Sequence, residues 1–150
     1  DHKNTESEFT NNVITVGALT SAYGSELMAN FSNYGARNVD VFAPGAKIYS
    51  TMPGSEYEFQ GGTSMAAPAV SGVAALIRSY YPQLKAYQVK QIIMRSGLAS
   101  KATVVVGGDY ANTAPFSELS KSGKMVNAYN ALLLADSIVR GKATLENNTK

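Results

Sequence analysis

The 150-residue sequence contains no cysteine, no tryptophan and a single histidine. Without cysteine there is no disulfide framework, no thiolate zinc site and no thiol nucleophile. One histidine, His2, cannot form a three-histidine metal centre, and an imidazole base within this chain would have to be that residue. Long apolar runs are missing too: the longest, at 73–77 and 131–135, fall far short of the roughly 18 residues of a membrane span, so no membrane partner is predicted. Charge of either sign is scarce in blocks, since 13 basic and 11 acidic residues are dispersed and leave a net charge of +2. No polybasic arm or acidic tail therefore names a partner. Residues 1–8 are polar and acidic, unlike the basic-then-apolar pattern of a secretory leader, so the signal of an exported parent is expected upstream. No acidic loop has the spacing of a calcium site, and neither a P-loop nor a spaced G-x-G-x-x-G occurs. No metal or cofactor is predicted, and calcium elsewhere in a larger domain stays unassigned. What remains, 45% hydrophobic and 16% charged residues with 13 glycines, is the composition of one compact domain.

The pattern along the chain is of the α/β class. The β-branched run 13–16 reads as a buried parallel strand ended by Gly17, and 39–43 as a second, stopped by Pro44-Gly45. Between them, 21–35 reads as loop. Segments 48–52 and 57–60 around Pro53-Gly54-Ser55 read as a hairpin. Apolar residues at spacings of three and four then predict a helix over 64–80, whose many alanines predict a central, nearly buried position. A second helix is predicted over 86–96, with Val89, Ile92 and Ile93 inward and Lys90 and Arg95 outward. A strand is expected within 101–106, irregular chain over 107–123, then a helix capped by Asn127 and a fraying polar tail from Lys142. Arg78, Tyr80, Tyr81, Lys85, Tyr87 and Lys90 interleave basic and aromatic residues, but as an ordinary helix end and exposed face; no nucleic-acid partner is predicted.

The segment that bears on chemistry is Gly61-Gly62-Thr63-Ser64-Met65-Ala66-Ala67-Pro68. A strand ending in two glycines and turning directly into a small-residue helix places Ser64 where unpaired backbone N–H groups and the positive end of the helix dipole converge. If Ser64 Oγ attacked a carbonyl, the resulting oxyanion could rest against the Ser64 N–H. Gly61 and Gly62 would let a substrate backbone lie alongside. The same residues also read as a plain helix start in which the hydroxyl of Thr63 or Ser64 caps the first turn.

The whole octet 61–68 resembles the active-site serine motif of the subtilisin-like serine proteases, the subtilase family. Further segments resemble that family in order: Asn12-Val13-Ile14-Thr15-Val16-Gly17-Ala18, Phe31-Ser32-Asn33-Tyr34-Gly35, Val39-Asp40-Val41-Phe42-Ala43-Pro44-Gly45 and Gly123-Lys124-Met125-Val126-Asn127-Ala128. Together they span about residues 11–139. The resemblance implies part of a three-layer αβα fold with a mainly parallel sheet, a polypeptide substrate, Ser64 as the acylating nucleophile, Thr63 as an assisting hydroxyl, and Gly62 and Gly61 flanking the cleft. It makes 30–45 scaffold. It also implies export, to the periplasm, cell surface or medium.

A serine nucleophile needs a base and an acid that orients it. In the family these and the oxyanion asparagine precede the serine. His2 lacks the family's H-G-T surroundings, Asp40 lies in a scaffold segment, and Asp1 has no strand-turn context. The resemblance thus assigns 1–140 to the C-terminal half of a subtilase catalytic domain, followed by a polar tail over 141–150. Its expected partner is an N-terminal half carrying Asp and His, without which the chain is expected to be inactive. Where the family usually has histidine after the motif proline, this chain has Ala69, which implies a packing change on the helix. A non-catalytic subtilase-like interaction module, or pseudo-protease, is the alternative.

Overall fold

The computed structural model describes residues 11–145; Asp1 and His2, and the tail from Glu146 onward, lie outside the described residues. A four-stranded sheet runs β1 (Val16–Leu19), β2 (Val41–Pro44), β8 (Lys124–Met125), β5 (Leu98–Ala99) in spatial order. The first three strands are parallel and β5 is antiparallel to β8. Two hairpins stand apart from it: β3 (Ile48–Met52) with β4 (Glu56–Gln60), and β6 (Thr103–Val106) with β7 (Asp109–Pro115). The helices are α1 (Thr63–Tyr80), α2 (Ala86–Ser96) and α3 (Ala128–Val139).

Alternation along β1 and β2 builds two cores. Ala18, Val41 and Ala43 face the helices and pack with Ala66, Val70 and Ile77 of α1, Val89, Ile92 and Ile93 of α2, and Ala131 and Ala135 of α3. Leu19 and Phe42 face the other way, onto Leu27, Met28, Val104, Val106 and Phe116, with the Phe42 and Phe116 rings 5.1 Å apart. The described residues thus supply the mainly parallel sheet and one helical layer. The second sheet face is covered by the β6–β7 hairpin and the loop through Met28. The outer edge of β1 is covered as well: Ala18 N donates to the buried Ser32 Oγ at 2.7 Å, and Ala29 N donates to Ala18 O at 3.0 Å.

Several sequence expectations need correction. The first strand is Val16–Leu19, and Gly17 lies within it. A Cβ on Gly17 would stand 2.3 Å from Phe42 Cε1, so this glycine makes room for a ring and does not end a strand. Lys90, expected outside, is 5% exposed and paired with Asp40. The region expected to be irregular contains β7. Its turn is the two-residue Gly107-Gly108, with φ of +65° and +78°, and β7 lacks the apolar alternation that marks a half-buried strand because nearly all of Asp109–Pro115 is exposed. Most consequentially, α1 is not nearly buried. Ala66, Val70 and Ile77 are, whereas Ala67, Pro68, Ala69, Gly72, Ala75 and Leu76 are exposed, because among the described residues only one face of this helix meets the sheet. The start of the expected polar tail is also held: Lys142 N and Ala143 N donate to Ser137 O, and Leu145 packs against the helical core.

Candidate active site

The site is built where β2 and β4 hand the chain to α1. Gly45, just beyond β2, accepts a hydrogen bond at its carbonyl from Gly62 N at 2.8 Å. A Cβ on Gly45 would meet Ala18 Cβ at 2.7 Å and Gly62 O at 2.8 Å. Glycine is therefore required there for the end of β2 to touch the start of α1. Gly61 and Gly62 are different, since a Cβ on either would find its nearest neighbour at 3.7 Å and 3.5 Å respectively. Packing does not demand glycine at these two positions. What their bareness leaves is open space beside the turn.

Gly62 is the N-cap of α1, with no side chain capping it. Thr63 and Ser64 are the first two helical residues, so neither hydroxyl serves as the cap that a plain helix start would use. Of the first-turn donors, Gly62 N is bonded to Gly45 O and Met65 N to Gly62 O at 3.0 Å. Among the described residues, Thr63 N and Ser64 N have no backbone acceptor, as helix geometry dictates for these positions. Ser64 is exposed, Thr63 and Met65 are half-buried, and Ala66 beneath them is fully buried and anchors the turn to the sheet. Pro68 acts one turn further on. It has no N–H to donate to the carbonyl of Ser64, four residues earlier, and its ring crowds that carbonyl.

The four residues predicted from sequence, Gly61, Gly62, Thr63 and Ser64, form one exposed strand-to-helix corner. Chemically the corner offers an accessible hydroxyl, a free N–H on the same residue and the positive end of an 18-residue helix. No ionisable side chain stands in the octet. Among the described residues no group of His, Cys, Asp and Glu could hold a metal ion, and no helix is long and apolar enough to cross a membrane. Sequence reasoning treated 30–45 as scaffold and missed Phe31. Its ring is 48% exposed and stands 3.7 Å from where a Cβ of Gly61 would be, so it forms a wall beside the corner. A large aromatic in a segment read as loop was the available signal.

A family model described as the Subtilase family matches residues 4–127. Subtilisin DY of Bacillus licheniformis is 48% identical over 91 residues, which are 61% of this chain and 30% of that protein. A thermophilic serine proteinase of Bacillus sp. strain AK1 is 52% identical over 68 residues, 45% of this chain and 16% of that protein. Among solved structures, a protease of Pseudoalteromonas arctica superposes with a TM-score of 0.65 at 30% identity, covering 83% of this chain and 36% of that one. The chain spans about a third or less of the length of these relatives.

Proposed function

The chain belongs to the subtilase family, and from that premise we propose that it carries the acylating serine of a serine endopeptidase, Ser64. The observation that carries the reading is the corner itself. Ser64 is exposed on the first turn of α1, its hydroxyl is not used as a helix cap, and its own N–H is left without an acceptor among the described residues. In the reaction, a base removes the Oγ proton as Oγ bonds to the scissile carbonyl carbon. The carbonyl oxygen becomes an oxyanion, which the Ser64 N–H and the helix dipole stabilise in place. Collapse of the tetrahedral species expels the amine, which takes the proton from the base, and leaves an acyl ester on Ser64. Water, deprotonated by the same base, then frees the acid and regenerates the hydroxyl. Thr63 assists at the rim, and Gly61 and Gly62 border the path of the polypeptide.

The base, its orienting carboxylate and a second oxyanion donor are assigned to a separate segment of the same domain, as the family resemblance implies. The chain's modest share of its relatives' length supports this. On that reading residues 1–140 alone do not turn over substrate. The substrate is a polypeptide, and export from the cytoplasm follows from the resemblance. Treating the full-length polypeptide with a fluorophosphonate probe, followed by peptide mapping, tests the proposal. Labelling at Ser64 that vanishes in Ser64→Ala is the expected result. A full-length protein that is folded yet unlabelled would instead mark a non-catalytic module.

A further inference from the structure

A pocket of about 280 Å³ lies between the loop that follows β1 and the tip of the β6–β7 hairpin. It falls just below the roughly 300–1,000 Å³ of pockets that enclose a drug-sized molecule, and suits one long side chain. Met28, Phe31, Ala46 and Val105 give it apolar walls, and its ionisable lining residues are Glu26 and Tyr110. These two meet across 84 residues of sequence: Tyr110 Oη donates to Glu26 Oε1 at 2.8 Å. The hydroxyl occupies one carboxylate oxygen, and an ionised carboxylate has capacity for further donors. Two pocket walls adjoin the nucleophile corner. Phe31 stands against Gly61, and Ala46 follows Gly45, whose carbonyl holds Gly62 N. The pocket therefore lies on the side of the corner that Phe31 and Ala46 wall.

We infer that this pocket is a subsite for a lysine or arginine side chain of the polypeptide substrate, with Glu26 as the residue that sets the specificity and Tyr110 positioning its carboxylate. The inference rests on the protease reading above. The aliphatic stem of such a side chain lies along Met28 and Phe31 while its charged end reaches Glu26, and the exposed Phe31 ring offers a face to a cation. An acidic side chain meets the only full charge among the described lining residues, of its own sign. An uncharged one leaves the Glu26 carboxylate with only its Tyr110 hydrogen bond and no opposite charge from the substrate.

The test uses the full-length polypeptide and internally quenched peptides that differ at one position. Lysine, norleucine or glutamate is placed in turn at each of the residues flanking the scissile bond. At one position lysine is preferred over norleucine, and Glu26→Gln reduces that preference by about fivefold, the scale of an accessible ion pair. The change is expected in KM, with kcat little altered. Glu26→Lys turns the preference toward glutamate, and Tyr110→Phe weakens it without inverting it. If the parent protein is labelled at Ser64 but Glu26→Gln leaves the lysine-to-norleucine ratio unchanged at every position, the subsite is wrong and the protease reading stands. If the folded parent neither labels nor cleaves, both fall.

Discussion

Lys90 Nζ lies 3.1 Å from Asp40 Oδ2, and each side chain is only 6% exposed. The same carboxylate oxygen accepts a hydrogen bond from Thr15 N at 2.9 Å. Asp40 thus ties the start of β2 to the chain entering β1 and to the inner face of α2. Breaking a buried pair from one side strands the other charge, at a cost of about 3–5 kcal/mol. Lys90→Met is therefore expected to destabilise the domain by that order. Asp40→Leu combined with Lys90→Met should recover part of the loss, though Thr15 N would still lack its acceptor. Urea unfolding of the two variants measures this, and a loss under about 1 kcal/mol for Lys90→Met would show that the pair contributes little.

Ser64→Ala separates chemistry from stability. The side chain is exposed and does not cap α1, so stability should stay within about 0.5 kcal/mol. Peptidase turnover of the full-length protein should fall by about a million-fold, the loss already known for the subtilisin triad. A large drop in melting temperature would show that Ser64 supports the helix start after all.

Gly45 and Gly61 are predicted to respond in opposite ways. Gly45→Ala forces a Cβ to within 2.8 Å of a backbone oxygen and should cost about 1–3 kcal/mol while displacing the serine corner. Gly61→Ala has ordinary contacts, the nearest at 3.7 Å, and should leave stability nearly unchanged but lower kcat/KM. Thermal melts paired with initial rates distinguish the two. Equal stability losses would contradict the reading of Gly61 as a cleft residue.

The pH dependence of stability has two named contributors at the junction of α1 and α3. Tyr81 Oη donates to Asp136 Oδ1 at 3.1 Å, and Arg140 Nε lies 2.8 Å from the same carboxylate. Partial burial first, and the Asp136 carboxylate second, raise the Tyr81 hydroxyl above its ordinary 10.0. Its contribution is complete below pH 10.0 and is lost as pH rises through the raised value. The hydrogen bond from Arg140 is the main cause that holds Asp136 below its ordinary 3.8. That contribution is complete above pH 3.8 and is lost as pH falls through the lowered value. Tyr81→Phe should flatten the alkaline limb of a melting-temperature profile, and Asp136→Asn the acid limb. Profiles parallel to the parent's would refute both assignments.

Much of the scaffold was legible because its signals are local. The β3–β4 hairpin, the α1 and α2 boundaries and the Asn127 cap, whose Oδ1 accepts from Asn130 N at 2.8 Å, follow from turn residues, periodicity and capping chemistry within a few positions. The β6–β7 hairpin escaped because its outer strand is exposed and lacks alternation, although Gly107-Gly108 marked its turn. Lys90 was misread for a related reason. A lysine between apolar positions reads as solvated unless its partner is known, and Asp40 is 50 residues away.

Residue order alone excludes a thiol or histidine cluster in this chain, places the informative chemistry in the octet 61–68 and puts that octet at a strand-to-helix step. Composition and local geometry suffice for such statements. Long-range packing is what requires Gly45 to be bare so that β2 can touch Gly62, leaves Ser64 exposed and not capping, leaves one face of α1 uncovered among the described residues, and brings Glu26 to Tyr110 beside the corner. These depend on which residues distant in sequence meet and which surfaces are left without a neighbour, and the shape of the whole sheet sets both, which no local pattern encodes.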